Sequence, residues 1–107
     1  MFCYPEHIAR EMKTLFARLK RERFLRGLSA EDFASRAAGF LATLNAIHPF
    51  REGNGRAQTT FLALLAHRAG HPPNMDALDP ERFLAAMIAS FGGEVSALRS
   101  EILQLIA

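Results

Sequence analysis

Nine consecutive residues near the middle of the chain, His48-Pro49-Phe50-Arg51-Glu52-Gly53-Asn54-Gly55-Arg56, put a base, a carboxylate, a cation and two glycines within reach of one another. Gly53 and Gly55 can take positive φ and let the backbone approach a ligand. Beyond them the spacing predicts a helix over residues 56–69. The start of such a helix offers unpaired N–H groups and the positive end of its dipole, a site suited to phosphate. Arg56 adds a fixed positive charge in the first turn, where a helix with only a structural role favours an acid, so the anion is expected from a ligand. Glu52 reads either as a solvated loop carboxylate or as a hard oxygen ligand for Mg²⁺, which takes one or two carboxylates and keeps water. His48 stands beside Pro49, a setting in which a histidine is most often structural; the groups around it make it a candidate for proton transfer. Phe50, two residues on, reads as a core anchor that fixes the loop.

The elements that must hold this stretch are helical. Pro5 suits a first helical turn, and Ile8, Met12, Leu15, Phe16 and Leu19 recur at helical spacing, which predicts a helix to about Arg23 that Gly27 closes. Ser29, with Asp32 three residues on, reads as an N-cap for a second helix whose apolar stripe is Phe33, Ala37, Phe40, Leu41, Leu44 and Ile47. Pro49 disfavours helical geometry at His48, so that histidine sits at a helix exit. After the loop, Phe61, Leu62, Leu64 and Leu65 describe a helix apolar on most sides, expected to be the central and most buried one, ending at Gly70. Asp79-Pro80-Glu81 reads as the cap and first turn of a fourth helix that runs to about Phe91. Gly92-Gly93 ends it, and Val95, Leu98, Ile102, Leu105 and Ile106 mark a fifth. No strand pattern, repeat or linker is evident. The expected fold is all-α, a compact single domain over residues 1–107.

Composition narrows the function classes. A net charge of +2, with cations and acids interleaved, predicts no nucleic-acid surface. The one dense basic run, Lys20-Arg21-Glu22-Arg23 with Arg26, reads as a solvated helix end. The single Cys3 excludes an internal disulfide framework, and no Cys/His cluster has zinc spacing. No apolar run approaches the roughly 18 residues that span a bilayer, so no membrane partner and a cytoplasmic location are expected, with secretion into a host cell as part of a longer effector as the other route. His7, His67 and His71 read as surface or helix-end residues.

Residues 48–56 resemble, without a break, the signature of the Fic (filamentation induced by cAMP) family, His-x-Phe-x-Asp/Glu-Gly-Asn-Gly-Arg-x-x-Arg. The resemblance implies a protein adenylyltransferase, which moves AMP from ATP to a Ser, Thr or Tyr hydroxyl of a target protein. In that reading His48 is the general base and Glu52 holds Mg²⁺ against the α- and β-phosphates. Gly53, Asn54 and Gly55 hold the α-phosphate, and Arg56 neutralises the departing pyrophosphate. The match ends at position 59, where the family's last arginine, a contact of the terminal phosphate, is replaced by Thr59. A threonine has no bidentate positive fork. Three alternatives stay open: altered ATP binding with reduced activity, another phosphate-containing donor in a toxin or effector, or a catalytically impaired module that binds a nucleotide or a partner. A separate antitoxin chain is a further partner that the resemblance suggests. The family's target-docking flap would be represented at most by Phe2-Cys3-Tyr4. Ser90-Phe91-Gly92-Gly93-Glu94 matches the family's inhibitory pattern only in part and reads as coincidence.

Overall fold

The computed structural model describes residues 5–47 and 54–106, and of residues 5, 6, 54–57 and 91 the backbone alone. Five α-helices make up the described chain: α1 (Pro5–Arg21), α2 (Ala30–Ile47), α3 (Asn54–Arg68), α4 (Pro80–Phe91) and α5 (Ser96–Ile106). The all-α expectation holds, and no strand occurs among the described residues.

Local chemistry accounts for several of the helix ends. Ser29 Oγ accepts a 3.1 Å bond from the Asp32 amide and so caps α2. Asp79 Oδ1 accepts from the amides of Glu81 (3.0 Å) and Arg82 (3.2 Å), with Pro80 following as the first helical residue of α4. At the end of α3 the His71 amide reaches back to the Ala66 carbonyl (2.8 Å) and the Gly70 amide to that of His67 (3.2 Å). That paired arrangement needs the left-handed backbone of Gly70, at φ 92°.

The helices close on one apolar cluster. α2 supplies Phe33, Ala34, Ala37, Ala38, Phe40, Leu41, Leu44 and Ile47, α4 supplies Phe83, Ala86 and Met87, and α5 supplies Leu98, Ile102 and Leu105. Leu15 and Leu19 of α1, Leu25 from the connection to α2, Leu62, Leu65 and Ala66 of α3, and Ala69 just after it complete the cluster. The segment after the loop therefore differs from its expected place as the most buried helix. Leu62 and Leu65 are buried, yet Leu64 is 60% exposed, and α2 carries the larger share of the core. The buried side of this segment is Leu62, Leu65, Ala66 and Ala69, while Leu64 lies in the open with Thr60, His67 and Arg68, so its apolar run is only one-sided in the fold.

The connection from α1 to α2 is a single left-handed turn at Arg23–Leu25, with φ of 57°, 55° and 63° at Arg23, Phe24 and Leu25. Left-handed geometry costs an L-residue about 1–2 kcal/mol. Full burial of Leu25 and partial burial of Phe24 against the core offset that cost. Because α1 stops at Arg21 and this turn intervenes, the helix is about two residues shorter than its apolar spacing suggests.

Candidate active site

The structure starts α3 at Asn54, two residues ahead of the position expected from the apolar pattern. Asn54, Gly55 and Arg56, the second half of the signature, are therefore the first turn of a helix and not part of the loop before it. The first four amides of any α-helix have no intrahelical acceptor, and the helix dipole places partial positive charge on them. No acidic side chain stands in the first turn of α3. An anion such as a phosphate is what such a turn accepts. His48, Phe50, Glu52 and Gly53 lie outside the described residues, as does the Phe2-Cys3-Tyr4 stub.

Tertiary packing holds this turn in place. Phe61, two turns into α3, meets Phe16 of α1 edge-on at 5.7 Å between ring centroids and stacks on Phe40 of α2 at 5.5 Å. Phe16 and Phe40 close the triangle edge-on at 5.5 Å. Three rings from three helices thus fix the direction in which the amide end of α3 points, with offset and edge contacts that aromatic quadrupoles favour.

Two buried polar residues bracket the signature. Asn45 is fully buried in the last turns of α2, and its Nδ2 donates to the Met87 carbonyl at 3.5 Å. Gln58, in the second turn of α3, is 7% exposed. The Oδ1 of Asn45 and the Oε1 of Gln58 have no hydrogen-bond partner among the described residues. Sequence reasoning passed over both, although a signal was present. Asn45 follows Leu41, and Gln58 precedes Leu62, by four residues, which puts a polar side chain in a core register on each side of the loop. Thr59, on α3 three residues after Arg56, is half-exposed.

The partial inhibitory pattern has other employment. Ser90 is buried and its Oγ donates to the Met87 carbonyl at 2.6 Å. Glu94 Oε1 accepts from the Ser96 amide at 2.8 Å and from the Ser96 hydroxyl, capping α5. These bonds, the hydroxyl first and then the amide, hold the Glu94 carboxyl below its ordinary value of 4.5.

An all-helical fold that turns the Asn-Gly-Arg end of a His-x-Phe-x-Glu-Gly-Asn-Gly-Arg signature into the start of a helix is the architecture of Fic domains. The model of the Fic/DOC family matches residues 1–66, and the chain belongs to that family. Among its relatives is the probable protein adenylyltransferase y4lH of Sinorhizobium fredii, 52% identical over 98% of this chain and 55% of the relative. Among solved structures, the N-terminal FIC domain of Bep8, a VirB-translocated effector of Bartonella sp. 1-1C, superposes with a TM-score of 0.88 at 27% identity, over 99% of this chain and 51% of that one. The N-terminal Fic domain of a putative cell filamentation protein from Bartonella quintana, solved with bound ADP, gives 0.86 at 33% identity, over 97% and 49%. The chain thus spans about half the length of the relatives it matches.

Proposed function

We propose that this chain transfers AMP from ATP to a Ser, Thr or Tyr hydroxyl of a target protein. The observation that carries the reading is the start of α3 at Asn54, which makes the signature's Asn-Gly-Arg a phosphate-receptive helix turn without a competing acid. The name of the Sinorhizobium relative, a probable protein adenylyltransferase, supports the reaction class. The ADP held by the Bartonella quintana domain supports an adenine nucleotide as ligand.

His48 takes the proton of the target hydroxyl, and the oxygen attacks the α-phosphorus. The bond from that phosphorus to the bridging oxygen breaks, so that AMP stays on the protein and pyrophosphate leaves. The amides of Gly53, Asn54 and Gly55 hold the α-phosphate in line, and Arg56 takes up the negative charge that grows on the pyrophosphate side. Phe50 anchors the loop. One carboxylate beside a phosphate-binding turn suits Mg²⁺, and among the described residues no cluster of His, Cys, Asp or Glu offers a rival metal site. Glu52 would hold the ion, which supplies charge neutralisation to the phosphates when bound.

Thr59 in place of the family's last arginine favours a second reading, a Fic-fold module that binds a nucleotide or partner with little or no turnover, or a toxin that takes a different donor. A separate antitoxin chain is the restraint consistent with either reading. Among the described residues no helix is long and apolar enough to cross a membrane. The cytoplasm, of the producing cell or of a host reached through a longer effector, is the compartment we assign.

Incubation of the chain with Mg²⁺, a host-cell lysate and ATP labelled in the α-phosphate tests the first reading. Label should appear on protein bands with the intact chain and vanish with His48→Ala, which keeps nucleotide binding and thermal stability nearly unchanged. Equal labelling by both forms would end the general-base assignment, and nucleotide binding with no labelling by either form would favour the module.

A further inference from the structure

We infer that the connection between α1 and α2 is a docking site for an acidic segment of a partner protein. Lys20, Arg23, Phe24, Arg26 and Gly27 line an open depression of about 510 Å³ there. Lys20, Arg23 and Arg26 are exposed, and the ion pairs among the described residues leave all three out. Glu22, the one acid within the run, is committed elsewhere: it lies 3.1 Å from Arg36 and 3.7 Å from Arg18. Arg68, in the last turn of α3, brings a further cation, its guanidinium 5.6 Å from the centre of the Phe24 ring. The expected solvated helix end is therefore a folded feature to which two helices and a turn contribute.

The backbone explains why these charges stay together. Three successive left-handed residues would ordinarily call for glycine, yet the chain keeps Arg23, Phe24 and Leu25. Buried Leu25 and half-buried Phe24 tie the turn to the core, so the cations beside them sit on a rigid support. Strained backbone of this kind clusters at binding sites because the structure around it must over-determine it. Uncompensated like charges repel, and a ligand with several carboxylates relieves that repulsion while meeting guanidinium groups in bidentate geometry.

A protein segment fits better than a nucleic acid. The cations gather around one depression and do not form a track along the surface, and the chain's net charge is only +2. Arg68 already covers a face of Phe24, the ring on which a base would stack. The rest of that ring offers apolar contact to a residue set among acids.

Fluorescence anisotropy with three labelled probes tests the site: a short peptide of Glu and Asp around one Phe, its Gln/Asn counterpart, and a single-stranded oligothymidylate. The acidic peptide should bind the intact chain and weaken between low salt and about 0.15 M. The amide peptide should not bind. Lys20→Glu and Arg26→Glu, at exposed positions outside the left-handed turn, should each weaken the acidic peptide roughly fivefold or more. Lys13→Glu, an equal charge change at an exposed position on α1 outside the depression, should not. A Lys-rich peptide should gain affinity for the Lys20→Glu and Arg26→Glu forms, a change that loss of folding would not produce. Tighter binding of the oligothymidylate than of the acidic peptide, equal weakening by Lys13→Glu, or no peptide binding to the intact chain would each overturn the inference. None of these readouts depends on AMP transfer.

Discussion

His71 Nε2 donates a 2.7 Å hydrogen bond to the main-chain carbonyl of Leu28, and its ring lies 5.4 Å from that of Phe33. A carbonyl only accepts, so the contact assigns the ring proton to Nε2. The residue expected at the surface or at a helix end does close the end of α3, and its ring is in addition a half-buried pin. It joins the turn after α3 to the segment that leads into α2.

Removing that pin should loosen the chain without touching the signature. His71→Ala forfeits one partly buried hydrogen bond, strands the Leu28 carbonyl and removes ring packing, together about 1–2 kcal/mol. Thermal denaturation should show a Tm lower by roughly 4–16 °C. An unchanged Tm would mean that the bond is exchanged for water at no cost.

Gln58 offers the opposite case. A buried acceptor without a partner costs about 1–3 kcal/mol, so an apolar residue of similar length should be tolerated. Gln58→Met is expected to leave Tm unchanged or raise it. A fall of several degrees would show that Oε1 accepts a bond that the described residues do not supply.

Glu94 carries a pH dependence whose sign is set by its hydrogen bonds to Ser96. The carboxyl titrates below its ordinary value in the folded chain, so its contribution to stability is present above the unfolded-state value and is lost as the pH falls through the folded one. Glu94→Gln should therefore be less stable than the parent at neutral pH, and the gap should close on acidification through the carboxylate range. Chemical denaturation across that range measures it, and a gap constant with pH would refute the capping role.

Position 59 tests how far the family's phosphate geometry extends to this chain. Arg56 and Thr59 are three residues apart on one helix and so share a face. Thr59→Arg should tighten ATP by roughly 1.5–3 kcal/mol, on the order of tenfold to a hundredfold, and ADP much less. Calorimetry with both nucleotides on both forms decides it. An unchanged ATP to ADP ratio would place the terminal phosphate away from this position.

What the sequence determined by itself was what neighbouring residues decide among themselves. Ser29 and Asp79 cap their helices with side chains two or three residues from the amides they satisfy, and Gly70 ends α3 because only the local backbone must turn left-handed. The signature was legible for the same reason, since residues 48–56 hold its types and spacing in one stretch. Tertiary structure alone decided the rest. α2 takes the central place expected of α3 because burial depends on what faces a helix, and an apolar residue such as Leu64 reads the same in a core or beside solvent. The left-handed turn at Arg23–Leu25 has no glycine to announce it; it persists because Leu25 reaches the core. His71 found its acceptor 43 positions away in the chain, at Leu28, a pairing that only the packed helices bring about.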